Sequence, residues 1–339
     1  MSQPKLKILY TGGTLGMAFS GSGGLIPDVA RADLAHWVPE MKQLASIDVE
    51  VVANIDSSEA TPELWLELAK RIELLEAEGQ VHGVLVIHGT DTLAYTASAL
   101  SFLLPSLRLP VVLTGSQRPL SITRTDARNN IVGAVETCLY GPREVMVFFR
   151  DTAFRANRVT KRAVSDFNAF ESPNFPALGL AGIDWSWRSD LFWPESRRPA
   201  LAPDLPQTLP SPPLVLPWVP GMNPDVIAPL LSRSWALILE GFGSGNLPVT
   251  DALLTALSGF QKQNGLVLVR SQVSTGKVDL RLYEPGCRLE ESGVISAHDM
   301  TREALVTKLM VLKSLGFEGR KLQAWIGRSI AGELSEPSS

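Results

Sequence analysis

Two short turns carry the side chains best suited to chemistry. One is Thr11-Gly12-Gly13-Thr14; the other is His88-Gly89-Thr90-Asp91-Thr92. Each follows an apolar, β-branched run that predicts a strand, residues 6–10 before the first and 84–87 before the second. The second leads into a helical stretch, 92–100. Hydroxyls beside a carboxylate suit hydrolysis, in which an oxygen adds to a carbonyl carbon. A threonine does this only when a base takes its proton, because its own pKa is far too high. Asp91 adjoins Thr90, and a lysine could serve where burial lowers its pKa towards neutrality.

Two further strand-like runs end in the same way. Residues 49–55 are followed by Asp56-Ser57-Ser58-Glu59, and 111–113 by Thr114-Gly115-Ser116-Gln117. In an open parallel sheet, ligands bind outside the carboxyl ends of the strands. Glycines in such turns let the backbone approach a ligand closely. Other chemistries lack their signatures. There is no G-x-S-x-G elbow, H-E-x-x-H or C-x-x-C, and His36, His82, His88 and His298 are the only histidines. The pattern therefore argues against a zinc site. Gly12, Gly13 and Gly16 do not complete G-x-G-x-x-G, which weakens a nucleotide reading.

The elements that must position these turns alternate along the chain. Thr61-Pro62-Glu63 opens a helix with an N-cap threonine and a proline at its first position, and Gly79 ends it. Asp126 opens another helix that runs through Cys138, and 145–149 read as a strand. Alternation of this kind predicts an α/β fold with a mostly parallel, doubly wound sheet. The prolines from Pro199 through Pro203, Pro206, Pro210, Pro212, Pro213 and Pro217 break it. The expected organisation is an N-terminal domain over 1–190, a proline-rich linker over 191–213 and a smaller C-terminal α/β domain over 214–339. In the last, 236–239 and 266–269 read as strands and 251–263 and 301–315 as helices.

A chain of 339 residues, 45% of them hydrophobic, can bury cores for two domains. A net charge of −4 offers no basic field, so no nucleic-acid partner is expected. No run of about 18 apolar residues predicts a membrane span. Met1–Lys5 carry no signal-type apolar core, which predicts a cytoplasmic protein. Cys138, in an apolar helical pattern, reads as a buried free thiol; Cys287 is the only other cysteine.

Together, Tyr10-Thr11-Gly12-Gly13-Thr14-Leu15-Gly16-Met17, His88-Gly89-Thr90-Asp91-Thr92 and Thr114-Gly115-Ser116-Gln117-Arg118-Pro119 resemble the bacterial L-asparaginases. The likeness extends to Asp56-Ser57-Ser58, Ala169-Phe170-Glu171-Ser172-Pro173-Asn174, Gly243-Ser244-Gly245-Asn246 and Asp299-Met300-Thr301, and it is greatest for the cytoplasmic, type I branch. The resemblance implies hydrolysis of L-asparagine to L-aspartate and ammonia, without metal or cofactor. It implies Thr14 as primary nucleophile on a loop that closes over substrate, and a second set of Thr90, Asp91 and Lys161. Asp56, Ser57, Ser58, Glu59 and Gly89 would line the substrate, with Ser58 and Glu59 on its α-carboxylate and α-amino groups. An acidic residue suits an ammonium. Ser116 and backbone amides near Thr90 would meet the amide oxygen as it turns negative. Read alone, Lys161 is a solvated charge; only the resemblance gives it a role. His88 reads as a structural residue bonded to loop backbone, and Gln117 as a residue behind the site. A homodimer or homotetramer is expected. A glutamine- or D-amino-acid-directed amidase, and a non-catalytic amino-acid sensor, are the rival readings.

Two departures stand out. Related enzymes carry a lid tyrosine where this chain has Leu25, and Tyr283, entering from a neighbouring subunit, is the candidate substitute. Some relatives bind asparagine at a regulatory site through an arginine and a cysteine; Glu240 and Val273 stand at those positions. A carboxylate there predicts little asparagine-driven cooperativity.

Overall fold

The computed structural model describes residues 3–19, 25–27, 38–199 and 204–335. The chain forms two compact units. The first comprises Met1–Thr208 with Ile330–Gly332, and the second Leu209–Ser329 with Glu333–Ser339. Among the described residues no helix is long and apolar enough to cross a membrane.

The first unit contains β1 (Lys5–Gly12), β2 (Met17–Phe19), β3 (Leu25–Pro27), β4 (Ser46–Ile55), β5 (Gly83–Ile87), β6 (Val111–Thr114), β7 (Val145–Phe149), β8 (Thr152–Arg155), β9 (Thr160–Lys161), β10 (Phe170–Glu171), β11 (Gly179–Ala181) and β12 (Trp185–Trp187). Eight of these make one sheet in the order β12-β11-β8-β7-β6-β5-β1-β4. From β4 to β7 neighbours run parallel. Because β4 and β5 lie on opposite sides of β1, the winding reverses between β1 and β5, the point at whose carboxyl ends open α/β sheets bind ligands.

Strands β5, β6 and β7 are buried at every residue, as continuous β-branched and aromatic runs must be when helices cover both faces. Helix Pro62–Glu78 buries Trp65, Leu66, Leu68, Ala69 and Ile72, one stripe at helical spacing, and ends at Gly79 in the left-handed conformation. Helix Ala127–Tyr140 packs Ile131, Ala134, Val135 and Cys138 into a core with Ile8, Leu85, Val112, Met146 and Phe148. Cys138 is a buried free thiol.

The antiparallel edge formed by β8, β11 and β12 goes beyond the expected parallel strands. Its first turn is made by Arg150 and Asp151 at φ 43° and 61°. Asparagine or glycine is the usual choice in such a hairpin, so the residue types gave no turn signal. Trp185 and Trp187 stack at 4.6 Å, and Trp185 meets Phe148, which docks the outermost strand onto the core.

The second unit has a four-stranded parallel sheet: β13 (Leu214–Pro217), β14 (Ala236–Gly241), β15 (Leu266–Ser271) and β16 (Ile295–Ser296), in that order. Strand β13 lies inside the stretch whose prolines break the alternation. It is an edge strand, where a proline removes no interior hydrogen bond. Helices Asp251–Lys262 and Arg302–Ser314 are capped by Thr250 and Thr301, whose hydroxyls accept from Leu253 N and Ala304 N; each cap is worth about 1 kcal/mol. The two units thus form the expected α/β fold with a larger and a smaller sheet.

Candidate active site

The four polar turns meet because backbone packs against backbone. Strand β1 ends in Gly12 and Gly13 at φ 103° and 88°, which L side chains rarely adopt. A β-carbon on Gly13 would fall 2.4 Å from Gly89 Cα, and one on Gly89 would fall 2.6 Å from Ser57. The turns after β1, β4 and β5 therefore touch at glycines that leave no room for a side chain. Thr11 Oγ1 donates to Ile87 O at 2.9 Å, and Leu120 N donates to Leu15 O at 3.0 Å, which joins the turn after β6 to the Thr14 turn. Thr14 is half-buried and begins the short 3₁₀ turn Thr14–Gly16.

Thr90 is 5% exposed and lies within a hydrogen-bonded chain. Lys161 Nζ donates to Thr90 Oγ1 at 2.8 Å and to Asp91 Oδ1 at 2.7 Å. Thr90 Oγ1 donates in turn to Gln117 Oε1 at 3.1 Å. The Gln117 orientation follows from its other end, where Nε2 faces the carbonyls of Ala163, Val164 and Asp166. Lys161 arrives on the β9–β10 hairpin, paired with Phe170. Arg158, buried just before it, is held by the Gly332 carbonyl at 2.7 Å and packs on Phe175.

Asp126 is a residue the sequence reading used only as a helix start. Its carboxylate accepts from Gln117 N, Arg118 N and Asn130 Nδ2. Burial raises its pKa against the pull of those bonds. A carboxylate behind Gln117 fixes the turn that presents the amide to Thr90. The signal available was an aspartate nine residues after Gln117, a separation only a folded turn can close.

The other candidates of the first unit include residues of the turns after β4 and β6. Asp56 Oδ1 accepts from Ser58 N at 2.8 Å, and that bond lowers its pKa. Ser57 is buried, and its carbonyl accepts from Thr92 Oγ1 at 2.6 Å; Ser58 and Glu59 are exposed. Ser116 is buried, but its hydroxyl donates to Arg118 O at 2.7 Å. That bond orders its own turn, so the hydroxyl would have to rotate to serve an amide oxygen. The side chain of Leu25 lies outside the described residues; its backbone pairs with Phe19. Tyr283 belongs to the second unit, half-exposed before helix Glu284–Glu291.

His88 holds the turn from beneath. Nδ1–H donates to Gly89 O at 2.8 Å, which leaves Nε2 to accept from Thr96 Oγ1 at 3.0 Å, and Trp65 Nε1 donates to that hydroxyl. Burial pushes the imidazole down to about 4, so it is neutral near pH 7. In the second unit, Glu240 is buried and bound by Arg302 at 2.7 Å through two bonds and by Arg270 at 3.0 Å. Its charge is engaged by its own chain.

Residues 5–192 match the family model for asparaginase, N-terminal, and 214–326 match that for the glutaminase/asparaginase C-terminal domain. The chain is 35% identical over 341 residues to L-asparaginase 1 of Escherichia coli, covering 99% of both. Among solved structures it resembles L-asparaginase I from Vibrio cholerae, with a TM-score of 0.86, 32% identity and coverage of 99% of this chain and 100% of that one. It also resembles a probable cytoplasmic L-asparaginase from Campylobacter jejuni, with a TM-score of 0.77, 28% identity and coverage of 96% and 100%.

Proposed function

The chain belongs to the asparaginase family across both of its domains, and from that premise we propose that it hydrolyses L-asparagine to L-aspartate and ammonia with threonine hydroxyls as reacting groups. The observation that carries the reading is the Lys161–Thr90–Asp91 cluster at 2.7–2.8 Å, beside the Thr14 turn at the point where the winding reverses.

The chemistry divides into two displacements. A hydroxyl oxygen, assigned to Thr14, adds to the side-chain amide carbon of the substrate. The C–N bond then breaks, the nitrogen takes the proton that the hydroxyl gave up, and ammonia leaves an acyl ester. Water adds to the ester, its proton passes to a base, and L-aspartate departs with the hydroxyl restored. Lys161, when neutral, is placed to take a proton from Thr90 Oγ1, and Asp91 stabilises the ammonium that results. Glu59 and Asp91 offer carboxylates to the substrate ammonium, and Ser58 its hydroxyl to the substrate carboxylate. The same proposal takes the protein as cytoplasmic and as a homodimer or homotetramer.

Ammonia release from L-asparagine, L-glutamine and D-asparagine tests this directly. Release from L-asparagine that Thr90→Val abolishes supports it. Faster release from either of the other amides redirects the specificity, since one methylene is worth only about 1–3 kcal/mol in a pocket. Asparagine binding without ammonia from any amide makes the protein a sensor.

A further inference from the structure

Gln117 connects the catalytic threonine to a second place on the molecule. Its amide nitrogen faces the loop between β9 and β10, residues 162–169, and that loop forms one wall of a cleft of about 740 Å³. Arg118, Arg124 and Arg150 line the cleft together with Gln117, Asp166 and Phe167. Three guanidinium groups face a single carboxylate in a chain whose net charge is −4. Asp166 offsets little of this, because its only ion pair with the cluster is the loose 3.7 Å contact to Arg150. Among the described residues neither Arg118 nor Arg124 meets a carboxylate; Arg124 lies over the Phe167 ring at 5.9 Å.

Arg150 is held towards the cleft at a cost. It occupies φ 43°, where glycine or asparagine would sit without strain. Asn130 fixes it there by accepting from Arg150 N at 3.0 Å. The same Asn130 donates to Gly115 O and to Asp126, the carboxylate that holds the Gln117 turn. The cleft and Thr90 therefore share one scaffold: Asn130 and Asp126 behind, Gln117 between, and the Lys161 hairpin loop in front.

We propose that this cleft binds a small anion with two negative charges close together, a dicarboxylate or a phosphate, and that its occupancy alters the hold of Gln117 and the 162–169 loop on Thr90 and Lys161. Guanidinium forks suit both anions, since each offers paired oxygens at the spacing of two N–H groups. The open, exposed setting fits an affinity of about 1 mM, a value that leaves room for regulation by changing concentration. The binding half stands by itself; the rate half rests on the hydrolase reading.

The test is titration calorimetry of the full chain with succinate and, separately, inorganic phosphate, beside L-asparagine hydrolysis at each concentration. The expected result is saturable binding of one of them, weakened about tenfold in Arg124→Gln/Arg150→Asn and in raised salt. Which anion binds identifies the source. Asparagine is well suited to the positive φ at 150, and Arg124→Gln alone, at an exposed site, guards against misfolding of the pair. Without anion, both variants keep kcat/KM within about twofold of the parent, and the anion-induced rate change disappears in them. No binding of either anion at up to about 20 mM, or binding that the double variant retains, overturns the proposal. Binding that leaves kcat/KM unmoved overturns its coupling to Thr90. Anion binding by a protein that releases no ammonia would retire the hydrolase reading and leave the site standing.

Discussion

Lys161 and Lys308 each hold a carboxylate at nearly one distance, 2.7 Å to Asp91 and 2.6 Å to Glu333. Their surroundings differ. Lys308 and Glu333 are both 0% exposed, and the ammonium also donates to the carbonyls of Ile326 and Arg328. Its three protons have three acceptors, and nothing is left to give to a ligand. Lys161 is 17% exposed, its carboxylate partner 63%, and its other acceptor is a hydroxyl that can itself react. A saturated, buried pair fixes the chain; a half-open pair touching a hydroxyl can move a proton. The distance alone does not tell them apart.

That contrast can be broken by mutation. Lys161→Met is expected to lower kcat by on the order of 10³-fold or more, with little change in the urea midpoint, because a pair with so exposed a carboxylate is worth at most about 1 kcal/mol. Lys308→Met should do the reverse. Leaving Glu333 buried without its ammonium costs about 3–5 kcal/mol in urea unfolding, while kcat/KM per folded molecule stays put. Adding Glu333→Leu should recover part of that loss. A Lys308 variant that folds normally and loses activity would end the distinction.

A smaller effect sharpens it from the side of pH. Unfolded, His88 takes up a proton near 6.5, and folded only near 4. Between those values the unfolded chain binds more protons, so stability present above pH 6.5 is lost as pH falls towards 4. From pH 7 to 4.5 this one group should cost roughly 2–3 kcal/mol, and His88→Gln should flatten that part of the profile. Gln117→Ala should lower kcat by about 10–100-fold through misplacement of Thr90, with KM nearly unchanged. The smallest effect is that of Tyr283→Phe, where unchanged turnover removes that residue as the substitute for a lid tyrosine.

Much of the fold was legible because local chemistry agreed with the final structure. Apolar runs became β1, β5, β6 and β7, and Thr61-Pro62 and Gly79 bounded their helix, Gly79 in the left-handed conformation and Thr61 without a side-chain cap bond. The hairpin at Arg150-Asp151 and strand β13 were not legible. One uses residues that turn only when Asn130 pays for the strain, and the other hides among prolines that an edge position tolerates.

At the site, the sequence by itself determined which turns carry hydroxyls, carboxylates and the glycines that allow close approach. Those are properties of residue type and of short spans. Tertiary structure decided that β1 and β5 are neighbours, that Gly13 meets Gly89, and that Lys161 comes within 2.8 Å of a threonine 71 residues earlier. It also decided that Ser116 turns to its own loop, that Gln117 touches Thr90, and that Lys308 is sealed while Lys161 is open. The physical reason is the range of the interaction. Propensity and capping act within a turn, whereas strand order, burial and the partner of a charge depend on segments far apart in the chain.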